Sequence, residues 1–178
     1  MSLKEMISRL RDDESNVRLC FEIAEKCYEN REFENMAKYI KKGLQCDIEA
    51  LPFFDVFDEE ISNGKIITFI IPKRGVYSQT MTLDGFSFFS RVLLELLRYL
   101  ISTQRINIVL SLNNVEFLAD AGEGVIWGIK REARMLQGDL KCINPHSNIL
   151  RVSEIMGNSY FDLYPTAVEA IQAFMITS

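Results

Sequence analysis

Two pairs of carboxylates are spaced so that each could share a site. Asp120 and Glu123 lie three residues apart, neighbours on a helix face, and Glu116 can meet Asp84 if their segments are adjacent strands. Such pairs divide general-acid from general-base work only in a pocket that drives their pKa values apart, which a sequence does not show. Solvated caps are the plainer reading. Gly122, Gly124 and Gly128 follow closely, but the Gly-Lys-Ser/Thr of a phosphate loop is missing. His146 stands behind Pro145 with no nucleophile in an activating motif, and reads as a surface residue. Cys20, Cys27, Cys46 and Cys142 show no C-x-x-C spacing and sit in apolar patterns, as buried reduced thiols do. With one histidine in the chain, the residues suggest no metal site and no cofactor. Recognition, rather than turnover, is the chemistry to expect.

The elements that would position these residues begin with an apolar strand, Ile106 to Leu112, and end with a helix from Glu123 to Gln137. Between them lies a small-residue turn, Asp120 to Gly124, which would aim backbone N–H groups outward from the helix start. Glycines at 122 and 124 remove side chains where another surface could approach. Trp127 in that helix is either an exposed interface anchor or buried against the sheet. Lys130, Arg131 and Arg134 read as a small solvated basic face, as do Lys38, Lys41 and Lys42.

Around this stretch, Lys65 to Ile71 reads as a strand, Lys73-Arg74-Gly75 as a hairpin turn and Val76 to Leu83 as a second strand. Phe86 to Thr103 is an amphipathic helix and Leu140 to Ile143 a short strand. His146 to Met156 is a helix, Phe161 to Tyr164 a strand, and Thr166 can cap a last helix to Phe174. This rhythm predicts an α/β fold with a mixed, mostly parallel sheet and right-handed crossovers. From Asn16 to Leu51 the chain reads instead as two amphipathic helices, and Phe53, Phe54, Val56 and Phe57 as a short helix or clamp. Ser62-Asn63-Gly64 marks the division, giving a helical region 1–62 and an α/β domain 63–178. One helix pair cannot bury both its faces. It must pack on the α/β part, form a dimer interface, or be completed by a partner.

The chain has 178 residues, with 25 acidic against 20 basic and a net charge of −5. That balance repels a phosphate backbone and argues against nucleic acid. The run Phe86 to Ile101 is broken by Ser90, Arg91, Glu95 and Arg98, so no membrane span is expected. The charged N-terminus lacks the apolar core of a secretory signal, and a cytoplasmic location follows.

Val115-Glu116-Phe117-Leu118 followed by Ala119-Asp120-Ala121-Gly122-Glu123-Gly124 resembles the strand and turn of STAS domains, the binding modules of anti-sigma-factor antagonists. Gly128, Gly138-Asp139-Leu140, Asn144-Pro145 and Ile155-Met156-Gly157 fall where that family has counterparts, and Met81-Thr82-Leu83-Asp84 is similar to its Gly-x-Leu-Asp. Cys20, Ile23, Ala24 and Cys27 with Phe33, Met36, Ile40, Gly43 and Leu44 resemble a single tetratricopeptide repeat. The STAS resemblance implies a non-enzymatic, bacterial partner-switching component. Its partner would be an ATP-binding anti-sigma factor or serine kinase, or a signalling scaffold, held through Asp84, Asp120, Ala121, Gly122, Glu123, Gly124 and Trp127. The serine that takes the phosphoryl group in that family is replaced here by Asp120, and the turn has no hydroxyl. Asp120 is then an N-cap, or a fixed partial phosphate mimic, or phosphorylation falls on Ser147 or Ser87. A structural subunit that uses the fold for stable assembly or homodimerisation is the alternative.

Overall fold

The computed structural model describes residues 1–73, 81–83, 87–113, 115–118, 120–155 and 162–176, of which 81–83, 116–118, 120, 121, 152, 154 and 155 are described by their backbone alone. Helix α1 (Leu3–Asp12) opens on a capping box: the Ser2 hydroxyl accepts from the Glu5 amide, and the Glu5 carboxylate accepts from the Ser2 amide at 2.7 Å. The helical reading from Asn16 omits this element. Ser2-x-x-Glu5 ahead of Met6 and Leu10, both buried, is the signal for it. Helix α2 (Val17–Glu29) is capped by Asn16, whose side chain accepts from the Leu19 amide at 2.9 Å, and α3 (Phe33–Cys46) follows it. Gly43 lets the pair close: a Cβ there would lie 2.7 Å from Cε2 of Phe21.

The aromatic segment expected as a helix or clamp is a strand, β1 (Phe54–Glu60), paired antiparallel along its whole length with β2 (Ile66–Pro72). Its alternation explains the assignment, since Phe54 and Val56 are buried while Asp55 and Phe57 are exposed. Asp58, Glu59 and Glu60 suit an edge strand, where charge blunts pairing with other chains. Ser62-Asn63-Gly64 is the turn of this hairpin, with Gly64 at φ 78°. A division at that turn cuts a hairpin; the sheet starts at Phe54.

Residues 74–80 of the expected Lys73-Arg74-Gly75 hairpin and its second strand lie outside the described residues. Met81–Leu83 form β3, which pairs in parallel with β5 (Val115–Leu118) in a separate two-stranded sheet. The remaining elements are α4 (Phe88–Ser102), β4 (Asn107–Ser111), α5 (Asp120–Met135), β6 (Asp139–Ile143), α6 (Ser147–Ile155), β7 (Asp162–Tyr164) and α7 (Ala167–Ile176). The main sheet runs β1-β2-β4-β6-β7, antiparallel only at β1. The fold is thus the mixed, mostly parallel α/β class with an all-α N-terminal region. Thr166 caps α7, its hydroxyl accepting from the Glu169 amide at 3.4 Å.

One face of the sheet carries α7, which packs Ala170 and Phe174 on Ile67, Phe69, Val109 and Ile143. The other carries α4 and α5, and its core continues without a break into α1, α2 and α3. Phe21 meets Phe53 edge to face at 5.5 Å, Phe53 meets Phe88 at 5.8 Å, and Tyr28 meets Phe88 at 5.7 Å. Of the three fates for the helix pair, packing on the α/β part is the one adopted. Cys20, Cys27 and Cys142 are buried, which pushes the Cys20 thiol up to about 11 and that of Cys142 up to about 12. Cys46 is exposed, against expectation, because the end of α3 runs past the core and leaves its Sγ near the Glu14 carbonyl at 3.4 Å.

Candidate interface on helix α5

Helix α5 rests on the core through Ile126, Ile129 and Ala133. Its C-terminal end is seated by Gly138, where a Cβ would come within 2.2 Å of the Ile106 carbonyl oxygen. The opposite side is open. Trp127 is 45% exposed and Met135 75%, and beyond the helix's own backbone and the adjoining residues no atom of the described residues lies within 4 Å of a Cβ built on Gly124 or Gly128. A glycine inside a helix costs about 0.5–1 kcal/mol relative to alanine. Packing among the described residues explains that penalty at neither position.

The expected turn, Asp120 to Gly124, is the first turn of α5 itself, so the helix begins three residues before the predicted Glu123. Strand β5 ends at Leu118 and α5 begins at Asp120; residue 119 lies outside the described residues. Gly122 is buried, Glu123 half-buried, and Gly124 and Trp127 face outward, while Asp84 lies outside the described residues. The pairing of Asp84 with Glu116 is therefore not described. Ser147 is exposed at the first position of α6. Ser87 is half-buried and caps α4 by accepting from the Ser90 amide at 3.2 Å. His146 is exposed, and its Nδ1 accepts from the Asn148 amide at 3.2 Å.

The basic face expected at Lys130, Arg131 and Arg134 needs correcting. Lys130 is 4% exposed, because it shares the inward stripe with Ile126, Ile129 and Ala133. Its Nζ donates to Asp139 Oδ1 at 2.7 Å, the Leu140 carbonyl at 2.8 Å and Asp162 Oδ2 at 3.1 Å. Lys141 reaches the same two carboxylates at 3.2 and 3.4 Å, and its Nζ lies 4.8 Å from the centre of the Phe174 ring. Arg134 closes the group from the surface, its Nε donating to Asp139 Oδ1 at 3.1 Å. Burial pushes the Asp139 carboxyl up, but hydrogen bonds from Lys130 and Arg134 outweigh it and hold the group below the usual carboxylate range. For Lys141, burial lowers the ammonium and the Asp139 charge more than reverses that, leaving it raised. Sequence reasoning missed this network. Asp139 and Lys141, two apart at a strand start, hint at one shared face, but Asp162 joins them only through the β6–β7 register.

Beside the network, Trp127, Lys130, Arg131, Arg134 and Met135 line a pocket of about 350 Å³. The Arg131 guanidinium lies 5.9 Å from the centre of the Trp127 ring.

No family model matches the chain, and no curated protein does; the tetratricopeptide likeness of the helix pair gains no support there. Among solved structures, one from Thermotoga maritima described as a "putative anti-sigma factor antagonist" is similar in backbone course, with a TM-score of 0.49 and 16% identity. The match covers 66% of this chain and 92% of that one. A likeness of that size carries over neither a residue role nor a partner. Among the described residues, no group of three or more His, Cys, Asp or Glu is placed to hold a metal ion, and no helix is long and apolar enough to cross a membrane.

Proposed function

We propose that the chain is a protein-binding regulatory module that offers the outer side of α5 to a partner. The observation that carries this reading is the open stripe of Gly124, Trp127 and Gly128. It places an exposed aromatic between two helical glycines that no packing among the described residues requires. Exposed Trp beside small residues is the composition of an interface anchor with room for close approach. The resemblance of residues 115–124 to the anti-sigma-factor antagonists supports the same surface and points to an ATP-binding anti-sigma factor, a serine kinase or a signalling scaffold as partner.

On this reading the chain acts by binding and release in the bacterial cytoplasm, without catalysis, and affects transcription through its partner. Phosphorylation of the helix start is not its switch, since no hydroxyl lies between residues 119 and 124. Asp120 leaves one fixed negative charge there, against about 1.5 to 2 for a phosphoryl group. Residues 1–51 act as a packed support for α4, with the sheet domain beginning near Pro52 rather than at Asn63. A permanent assembly subunit is the second reading, favoured by Val168 at 62% and Ile176 at 83% exposure on α7.

The test is a pull-down from native extract with the wild-type chain and with Asp120→Ser, each complex then being incubated with ATP. Capture of an ATP-binding regulator by both chains, with phosphorylation and release of the serine variant alone, is the expected result. Recovery of both chains in one stable assembly, with no such regulator, would favour the structural subunit.

A further inference from the structure

We infer that the pocket at the C-terminal half of α5 selects a partner segment that is acidic and amphipathic, with a carboxylate set against Arg131 and an apolar side chain against Trp127 and Met135. This rests on the reading of α5 as the contact face and adds the chemistry of what meets it.

The argument begins with charge. The chain as a whole is acidic, at −5, yet four cations, Lys130, Arg131, Arg134 and Lys141, gather at this end of α5. Facing them are Asp139 and Asp162, with Glu132 exposed on the same helix. The cations still exceed the carboxylates. Lys130 and Lys141 spend their donors inward on Asp139 and Asp162, and Arg134 uses Nε and one terminal nitrogen there. Arg131 is different. Among the described residues it has no carboxylate within ion-pair distance, and its contact is with the Trp127 ring. An unpaired guanidinium on an exposed indole beside a pocket is built for a carboxylate that arrives with apolar neighbours.

Size and position narrow the occupant. A volume of about 350 Å³ sits at the small end of ligand pockets, roughly 300–1,000 Å³, and suits one or two anchoring side chains. Gly124 and Gly128 continue the open stripe toward the helix start, leaving room for a second backbone to lie along α5. Nucleic acid fits poorly: its binding rests on many cation–phosphate contacts, which one unpaired arginine on a chain of net charge −5 does not supply. The network beneath gives the site its rigidity, since Lys130 and Arg134 are both fixed on Asp139.

Trp127 is the chain's one tryptophan, so its fluorescence reports the pocket directly. The probes are two amphipathic helical peptides of about four turns, with leucine on one face and either all glutamate or all lysine on the other. The full-length chain should bind the glutamate peptide with a saturable shift in Trp127 emission and ignore the lysine twin. Arg131→Glu, at an exposed position, should weaken the glutamate peptide about ten-fold and admit the lysine twin, with unchanged circular dichroism. Raising salt from about 50 mM to 500 mM should weaken the wild-type interaction. Equal binding of the twins, binding of neither, or an unchanged preference in Arg131→Glu overturns the inference. So does a larger emission shift with inorganic phosphate or single-stranded RNA. The underlying reading fails separately: a partner recovered from extract that ignores Gly124→Arg does not use α5 at all. One that responds to Gly124→Arg and ignores Arg131→Glu uses α5 without this charge selection.

Discussion

Helices α4 and α5 lie on the same face of one sheet, yet the chain treats their outer sides differently. Helix α4 is roofed by α3 and by the ring contacts of Tyr28, Phe53 and Phe88, with Lys41 placed 3.7 Å from Glu95. Among the described residues helix α5 carries no comparable cover, and Trp127 and Met135 stand exposed over a tightly bonded ionic base. On the proposed reading, the contrast separates permanent contact from contact held in reserve. Where the chain supplies its own partner, glycine is demanded by packing, as Gly43 is by Phe21; at Gly124 and Gly128 of α5 no such neighbour is found among the described residues.

The sharpest way to break the comparison is at the base of α5. Asp139→Asn should lower stability by about 3–5 kcal/mol in denaturant titration, because it leaves buried Lys130 and Lys141 to share Asp162 alone. The pH dependence has a definite sign. The folded carboxyl of Asp139 is depressed, so its contribution is full above the unfolded value of about 3.9 and is lost as pH falls through the lower folded value. The wild type should therefore lose stability in acid more steeply than Asp139→Asn does.

On the roofed side, Gly43→Val should destabilise by about 1–3 kcal/mol through overpacking against Phe21, measured as a lower thermal midpoint. On the open side, Trp127→Ala should change stability by less than about 1 kcal/mol while removing about 2 kcal/mol or more of partner binding by calorimetry. The smallest effect has the opposite sign. Gly128→Ala should raise stability by about 0.5–1 kcal/mol in denaturant titration, since the added methyl meets open space and helix propensity improves.

Much of this contrast could be read before the structure. Strong periodicity placed β2, β4, α4, α6 and α7 within a few residues, because apolar runs such as Ile66–Ile71 and Phe88–Ile101 admit few alternatives. Strand β1 was hidden by its aromatic density: Phe53, Phe54 and Phe57 look like a clamp until β2 supplies seven backbone partners. The start of α5 was misplaced because Gly122 and Gly124 read as turn residues, whereas the helix runs through both, Gly122 buried and Gly124 exposed. The site was legible in part. The sequence left Trp127 open between an exposed and a buried place, which the structure resolves as exposed, and the fate of Lys130 depended on a sheet register that no local pattern contains.

The most direct test of the claim that α5 is held open for a partner uses the partner itself. Once recovered, identified and purified, its affinity is measured for the wild type and for Gly124→Arg, which fills the open stripe without touching the core. The account predicts a loss of about a hundred-fold or more in affinity with an unchanged thermal midpoint. Equal affinity for the two chains would place the contact elsewhere and contradict the account.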